Sequence, residues 1–121
     1  MPASVPIRYI HSMIAFLEGS LEVKELARIV LNCGGVGYEV TIPLSSYDRL
    51  PEQNKICRLL IHHHITEADQ KLYGFMTESE REMFTHLLTI NGVGPKIAVA
   101  ALSGLPVSEM RRAIITGDIK T

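Results

Sequence analysis

The chain has 121 residues, room for one ordinary domain or two very small ones. With 46% apolar residues it can bury a core, which excludes a disordered chain. A formal net charge of −1 excludes nucleic-acid capture by bulk positive charge, so any such role must come from local features.

In chain order, "MPASVPIRYIHS" stands apart in composition from the rest of the chain. Residues 1–12 are expected to be a disordered upstream extension, with Met13 as the natural start. The stretch holds one arginine and no long apolar run, unlike a signal peptide. "MIAFLEGSLEVKE" reads as a strand around Gly19, a glycine expected at a bulge or sharp bend. "LARIVLN" puts Ala27, Ile29 and Leu31 on one side, and Gly34 and Gly35 spell a hairpin turn. Val36, Tyr38, Val40 and Ile42 then share a face at period 2, and Pro43 ends that strand. "LSSYDRLPE" is a polar connector with one helical turn. In "KICRLLIHHHITE", Cys57, Leu59, Ile61, His63 and Ile65 fall on the core side; "DQKLYGFM" completes the set with Leu72, Tyr73 and Phe75. Short strands separated by turn signals predict a closed five- or six-stranded barrel over residues 13–75.

The period changes after Phe75. Thr77 and Glu80 have capping-box spacing, and Met83, Phe84, Leu87, Leu88 and Ile90 recur at helical spacing. A second helix is expected from Pro95 to about Ser103, stopped by Gly104. A third, begun near Pro106, would carry Met110, Ala113 and Ile114 on one stripe. Residues 76–121 are thus expected to form a helical hairpin plus one more helix. No segment has the ~18 continuous apolar residues of a membrane span. Cys33 and Cys57 make no disulfide framework; they read as small buried hydrophobes of a reducing compartment.

The most informative stretch is "TINGVGPKIAVAAL", Thr89 to Leu102. Gly92 and Gly94 can take positive φ, Val93 can point inward and pin the two helices, and Pro95 suits the first turn of a helix. The free N–H groups of the turn and helix start, with the helix dipole and Lys96, make a small anion site sized for one phosphate oxygen. Such a contact is blind to base sequence. The P-loop and the dinucleotide fingerprint both fail on spacing. The alternative is a tight helix–helix turn with no ligand.

His62, His63 and His64 raise a metal reading, but 62 and 64 share one strand face while 63 points to the other, and no third ligand is near. They read as ordinary strand histidines with one partly buried; no metal or cofactor is expected. Arg111 and Arg112 open the third helix, where a solvated face competes with a phosphate contact. Ala98, Ala100 and Ala101 keep the second helix slim for close packing.

Together "MIAFLEG", "GGVGYEV", "KLYGF" and "NGVGPKIAVAALSG", in this order and spacing from Met13 onward, resemble the RuvA family of bacterial Holliday-junction-binding subunits. The resemblance implies an α+β fold of two small modules: an N-terminal oligonucleotide/oligosaccharide-binding (OB) fold β-barrel, then an incomplete helix-hairpin-helix domain. It implies a homotetramer without covalent chemistry of its own, in the bacterial cytoplasm at the nucleoid. That tetramer would hold four-way junction DNA for recombination and repair alongside a RuvB ATPase and a RuvC resolvase.

Transferred to this chain, the phosphate-binding hairpin is Asn91, Gly92, Val93, Gly94, Pro95 and Lys96. The acidic pin at the junction centre falls on the turn before "KLYGF". The family shows two adjacent carboxylates there; this chain has Glu67, then Ala68, then Asp69. A merely solvated acidic turn is the alternative. The sequence ends at "GDIKT", short of the family's second hairpin and third domain, so weaker junction binding and no productive coupling to the ATPase are expected. Helix-hairpin-helix DNA glycosylases resemble "GVGPK" as well, which would make Lys96 a Schiff-base nucleophile with Asp118 as its partner. A barrel that oligomerises without binding DNA is the third reading.

Overall fold

A computed structural model describes residues 13–104 of the chain. The extension at residues 1–12, the third helix with Arg111 and Arg112, and Asp118 lie outside the described residues.

Five strands close into a barrel: β1 (Phe16–Glu25), β2 (Arg28–Cys33), β3 (Val36–Thr41), β4 (Ile56–Ile65) and β5 (Gln70–Phe75), in the spatial order β1-β2-β3-β5-β4. Neighbours are antiparallel except β3 and β5, which run parallel and share the single registered pair Thr41 and Tyr73. This is the expected OB-type barrel. Its interior is Leu21, Ile29, Leu31, Val40, Ile42, Leu59 and Ile61, supplied by the inward phase of β1 to β4 and by the residue just beyond β3.

The alternation holds inside the barrel and lapses at its rims. Val40 and Ile42 are buried, but Val36 is 52% exposed where the β2–β3 hairpin projects. Cys57, Leu59, Ile61 and His63 point in as expected, whereas Ile65 is 45% exposed because β4 runs past the barrel mouth. Ala27 is exposed at φ 68 in the β1–β2 turn and not on a strand face. Gly34 and Gly35 both have positive φ, and the Gly35 N–H donates to Asn32 Oδ1 at 2.7 Å, which completes the hairpin. The register shift in β1 falls between Leu21 and Val23, not at Gly19. Cys57 is buried, and Cys33 is only half-buried.

Among the described residues the helices obey the same logic: α1 (Leu44–Tyr47) is the one helical turn of the connector, and α2 (Glu78–Leu88) and α3 (Pro95–Leu102) form a hairpin. The capping box at α2 is present: the Glu80 N–H donates to Thr77 Oγ1 at 3.2 Å, and the Thr77 N–H donates back to Glu80 Oε1 at 3.2 Å. Of the periodic residues on α2, Phe84 and Leu87 are buried while Met83 lies on the solvent side.

The hairpin does not stand apart from the barrel. Tyr73 and Phe75 of β5 form one core with Phe84, Leu87, Val93 and Ala98. The Phe84 ring lies 5.0 Å from Phe75 and 5.1 Å from Tyr73, centroid to centroid, within range of favourable aromatic packing. Helix α2 therefore covers the outer face of β4 as well, and this buries His62 beside Phe84 at 5.2 Å. His62 and His63 are both buried, although they point to opposite faces of β4.

Candidate nucleic-acid interface

The α2–α3 turn is built around one inward residue. Thr89 closes α2, and the Ile90 N–H donates to Leu87 O at 3.0 Å. The Val93 N–H then donates to Ile90 O at 3.0 Å, reversing the chain. Gly92 takes φ 90, which glycine alone adopts without strain. The reversal drives Val93 into the shared core at 6% exposure and leaves Asn91, Gly92 and Lys96 facing solvent.

Gly94 differs from expectation. Its φ is −96 and its ψ −178, an extended N-cap geometry open to other residues, so only Gly92 uses the left-handed region. Having no side chain, Gly94 caps nothing, and Pro95 at the first position has no N–H. The first intrahelical bond is Ala98 N–H to Gly94 O at 3.0 Å. The N–H groups of Lys96 and Ile97 precede it and receive no side-chain cap. They point along the axis at the positive end of α3, beside the Lys96 ammonium. Such a cluster suits an anion that approaches end-on, a phosphate oxygen above all.

The acidic turn lies between β4 and β5. The Thr66 N–H donates to Asp69 O at 2.8 Å, the Asp69 N–H to Thr66 Oγ1 at 3.1 Å, and the Gln70 N–H to Asp69 Oδ1 at 2.8 Å. The Asp69 carboxylate is thus folded back on its own turn. Its charge is also felt at Tyr73, whose phenol is pushed up first by burial and then by Asp69. Glu67 stands exposed, and among the described residues nothing hydrogen-bonds its carboxylate. The two acids therefore differ: Glu67 is free to project, and Asp69 shapes the turn.

Among the described residues, no group of three or more His, Cys, Asp or Glu side chains could hold a metal ion. His63 Nε2 lies 2.9 Å from Gln70 Oε1, while its Nδ1 is buried without a partner among the described residues. Burial lowers the pKa of His64, which sits 5.7 Å from His62. No described helix is long and apolar enough to cross a membrane.

Sequence spacing missed a polar cluster that joins the two modules. Glu80 Oε2 accepts from Ser45 Oγ at 2.5 Å and from Ser46 Oγ at 3.1 Å, and Ser103 Oγ accepts the Leu44 N–H at 2.9 Å. These partners are 34 to 59 residues apart in the chain, so no local pattern signals them.

The family described as RuvA N terminal domain matches residues 13–74, just over half of the chain. The chain belongs to the RuvA family. Its relatives include proteins named Holliday junction branch migration complex subunit RuvA. The one from Syntrophotalea carbinolica is 44% identical over 108 residues, covering 89% of this chain and 54% of that protein. The one from Amoebophilus asiaticus is 38% identical over 109 residues, covering 90% and 56%. The one from Polynucleobacter asymbioticus is 44% identical over 102 residues, covering 84% and 53%. The similarity to the RuvA proteins thus extends beyond the barrel and, at these lengths, takes in the α2–α3 hairpin. The chain spans about half the length of the RuvA relatives it matches.

Proposed function

We propose that this chain is a non-enzymatic scaffold that binds four-way junction DNA through its phosphates, as part of a branch migration complex in recombination and repair. The observation that carries this reading is the hairpin. A positive-φ Gly92 and an inward Val93 hold the uncapped Lys96 and Ile97 N–H groups outward, with a lysine beside them. The relatives' names supply the junction as the DNA form. In this reading Asn91, Gly92, Val93, Gly94, Pro95 and Lys96 hold one phosphate stretch per chain. Glu67 repels phosphates at the crossover, with Asp69 supporting the turn behind it. A homotetramer presents four such hairpins to the four arms. The protein partners that the family implies are a RuvB-type ATPase and a RuvC-type resolvase, and the bacterial cytoplasm is the compartment.

The test is a fluorescence-anisotropy titration of the chain against four-way and linear duplex DNA of equal length at low salt. Tighter binding of the four-way form, indifferent to sequence and weakened by Gly92→Val and by Lys96→Gln, supports the reading. Equal binding of the two forms, or binding untouched by both substitutions, overturns it.

A further inference from the structure

The hydrophobic seam between barrel and hairpin is not the only thing joining them. Helix α1 lies on the connector that leaves the barrel after β3, and both hairpin helices grip it. Glu80, in the first turn of α2, accepts hydrogen bonds from Ser45 and Ser46; Ser103, at the end of α3, accepts the Leu44 N–H. The Ser46 hydroxyl also accepts the Met76 N–H at 3.1 Å, which fixes the chain just after β5 leaves the barrel. Ser46 has no exposed surface, and Glu80 is half-buried. On the other flank, Arg81 Nη1 donates to Ala15 O at 3.0 Å just before β1.

Apolar burial is non-directional and tolerates sliding, whereas hydrogen bonds fix distance and angle. A carboxylate that gathers donors from two chain segments, closed by a serine from a third, does little that helix capping alone would need. Thr77 already caps α2.

We propose that Ser45, Ser46, Glu80 and Ser103 are positioning residues: a polar strut through α1 that sets the angle between the barrel, which carries Glu67, and the phosphate-binding hairpin. The strut makes the protein selective for branched over linear DNA. A single hairpin holds a phosphate stretch on any duplex. A four-way substrate is favoured only when the hairpin holds an arm while the repelling Glu67 faces the open centre and not a strand, and that placement depends on their fixed relation. This inference rests on the proposed function for its DNA consequence, and on the hydrogen bonds alone for its structural one.

The experiment compares the parent chain with Ser45→Ala/Ser46→Ala, Ser103→Ala, Ser45→Thr and Gly34→Ala. Residual dipolar couplings of backbone amides report the relative orientation of barrel and hairpin without DNA. Anisotropy titrations report the ratio of four-way to duplex affinity. One alignment should fit both modules in the parent and in Ser45→Thr. The alanine variants should need two, and their affinity ratio should fall about tenfold or more while duplex affinity stays within about twofold. Gly34→Ala, in the β2–β3 turn away from α1, should lower stability through its positive φ and leave both readouts unchanged. Alanine variants that keep the parent's single alignment overturn the strut, whatever the parent does with DNA. A parent that binds both DNA forms equally sinks the proposed function and with it the selectivity role. Altered orientation with an unchanged affinity ratio also overturns the selectivity role while the proposed function stands.

Discussion

A methyl group placed on Gly19 would lie 2.4 Å from the backbone oxygen of Asn32, so β1 and β2 meet there with no room for any side chain. The obstructing atom is main chain and cannot rotate away. Gly19→Ala should cost at least the ~3 kcal/mol upper end of typical overpacking losses. Gly34→Ala meets open space and pays only for its φ of +65, about 1 kcal/mol. Urea unfolding of the two variants checks the ranking, which a larger loss at Gly34 would refute.

Phe84 touches Tyr73, Phe75 and His62 at once and is fully buried. Phe84→Ala should lose about 3–5 kcal/mol. Met83, its neighbour on the solvent side, should change by no more than about 0.5 kcal/mol when cut to Ala. Thermal melts of both variants decide.

The Glu80 carboxyl feels two opposed influences. Burial pushes it up, but the hydrogen bonds from Ser45, Thr77 and Ser46 and the Thr77 N–H outweigh that and leave it below its ordinary value of 4.5. A carboxyl lowered by folding lends its full stability above the unfolded value and loses it as pH falls through the folded value. Glu80→Gln should therefore be less stable than the parent at neutral pH, and the gap should narrow as pH drops below 4.5. Denaturant midpoints across that range give the answer; a gap that widens on acidification contradicts it.

Burial lowers His64 below its ordinary 6.5. Below that pH the unfolded chain takes up a proton that the folded chain resists, so stability declines as pH falls from 6.5 toward the lowered value. His64→Gln should flatten this limb in melts recorded across the same interval.

If Lys96 neutralises a phosphate, Lys96→Gln should weaken binding alike on every sequence. It should also reduce the slope of log affinity against log salt by about 1 per hairpin engaged. A salt titration of both proteins on the four-way substrate measures this directly.

Much of the architecture was readable because it depends on near neighbours in the chain. Thr77 and Glu80 declared the α2 cap, Gly34 and Gly35 the hairpin, and the alternation from Cys57 to His63 the inward face of β4. What escaped depends on distant packing. His62 looks like an outward strand residue until α2 lies over it, and Glu80 looks like a cap until Ser45 and Ser46 arrive from the other module. Gly94 looked like a partner to Gly92 in the left-handed region; the chain instead needs an extended residue there to start α3. Asp69 looked like half of a pair with Glu67, and its carboxylate is occupied by the Gln70 N–H.

The family match ends at residue 74, one position before Phe75. That ring is fully buried, and its cover is largely Phe84 from the hairpin. A polypeptide cut at this border would leave a sticky aromatic scar on the barrel wall around Tyr73 and strip the roof from His62. Barrel and hairpin should accordingly melt in one cooperative step, because neither wall of that seam can face water alone.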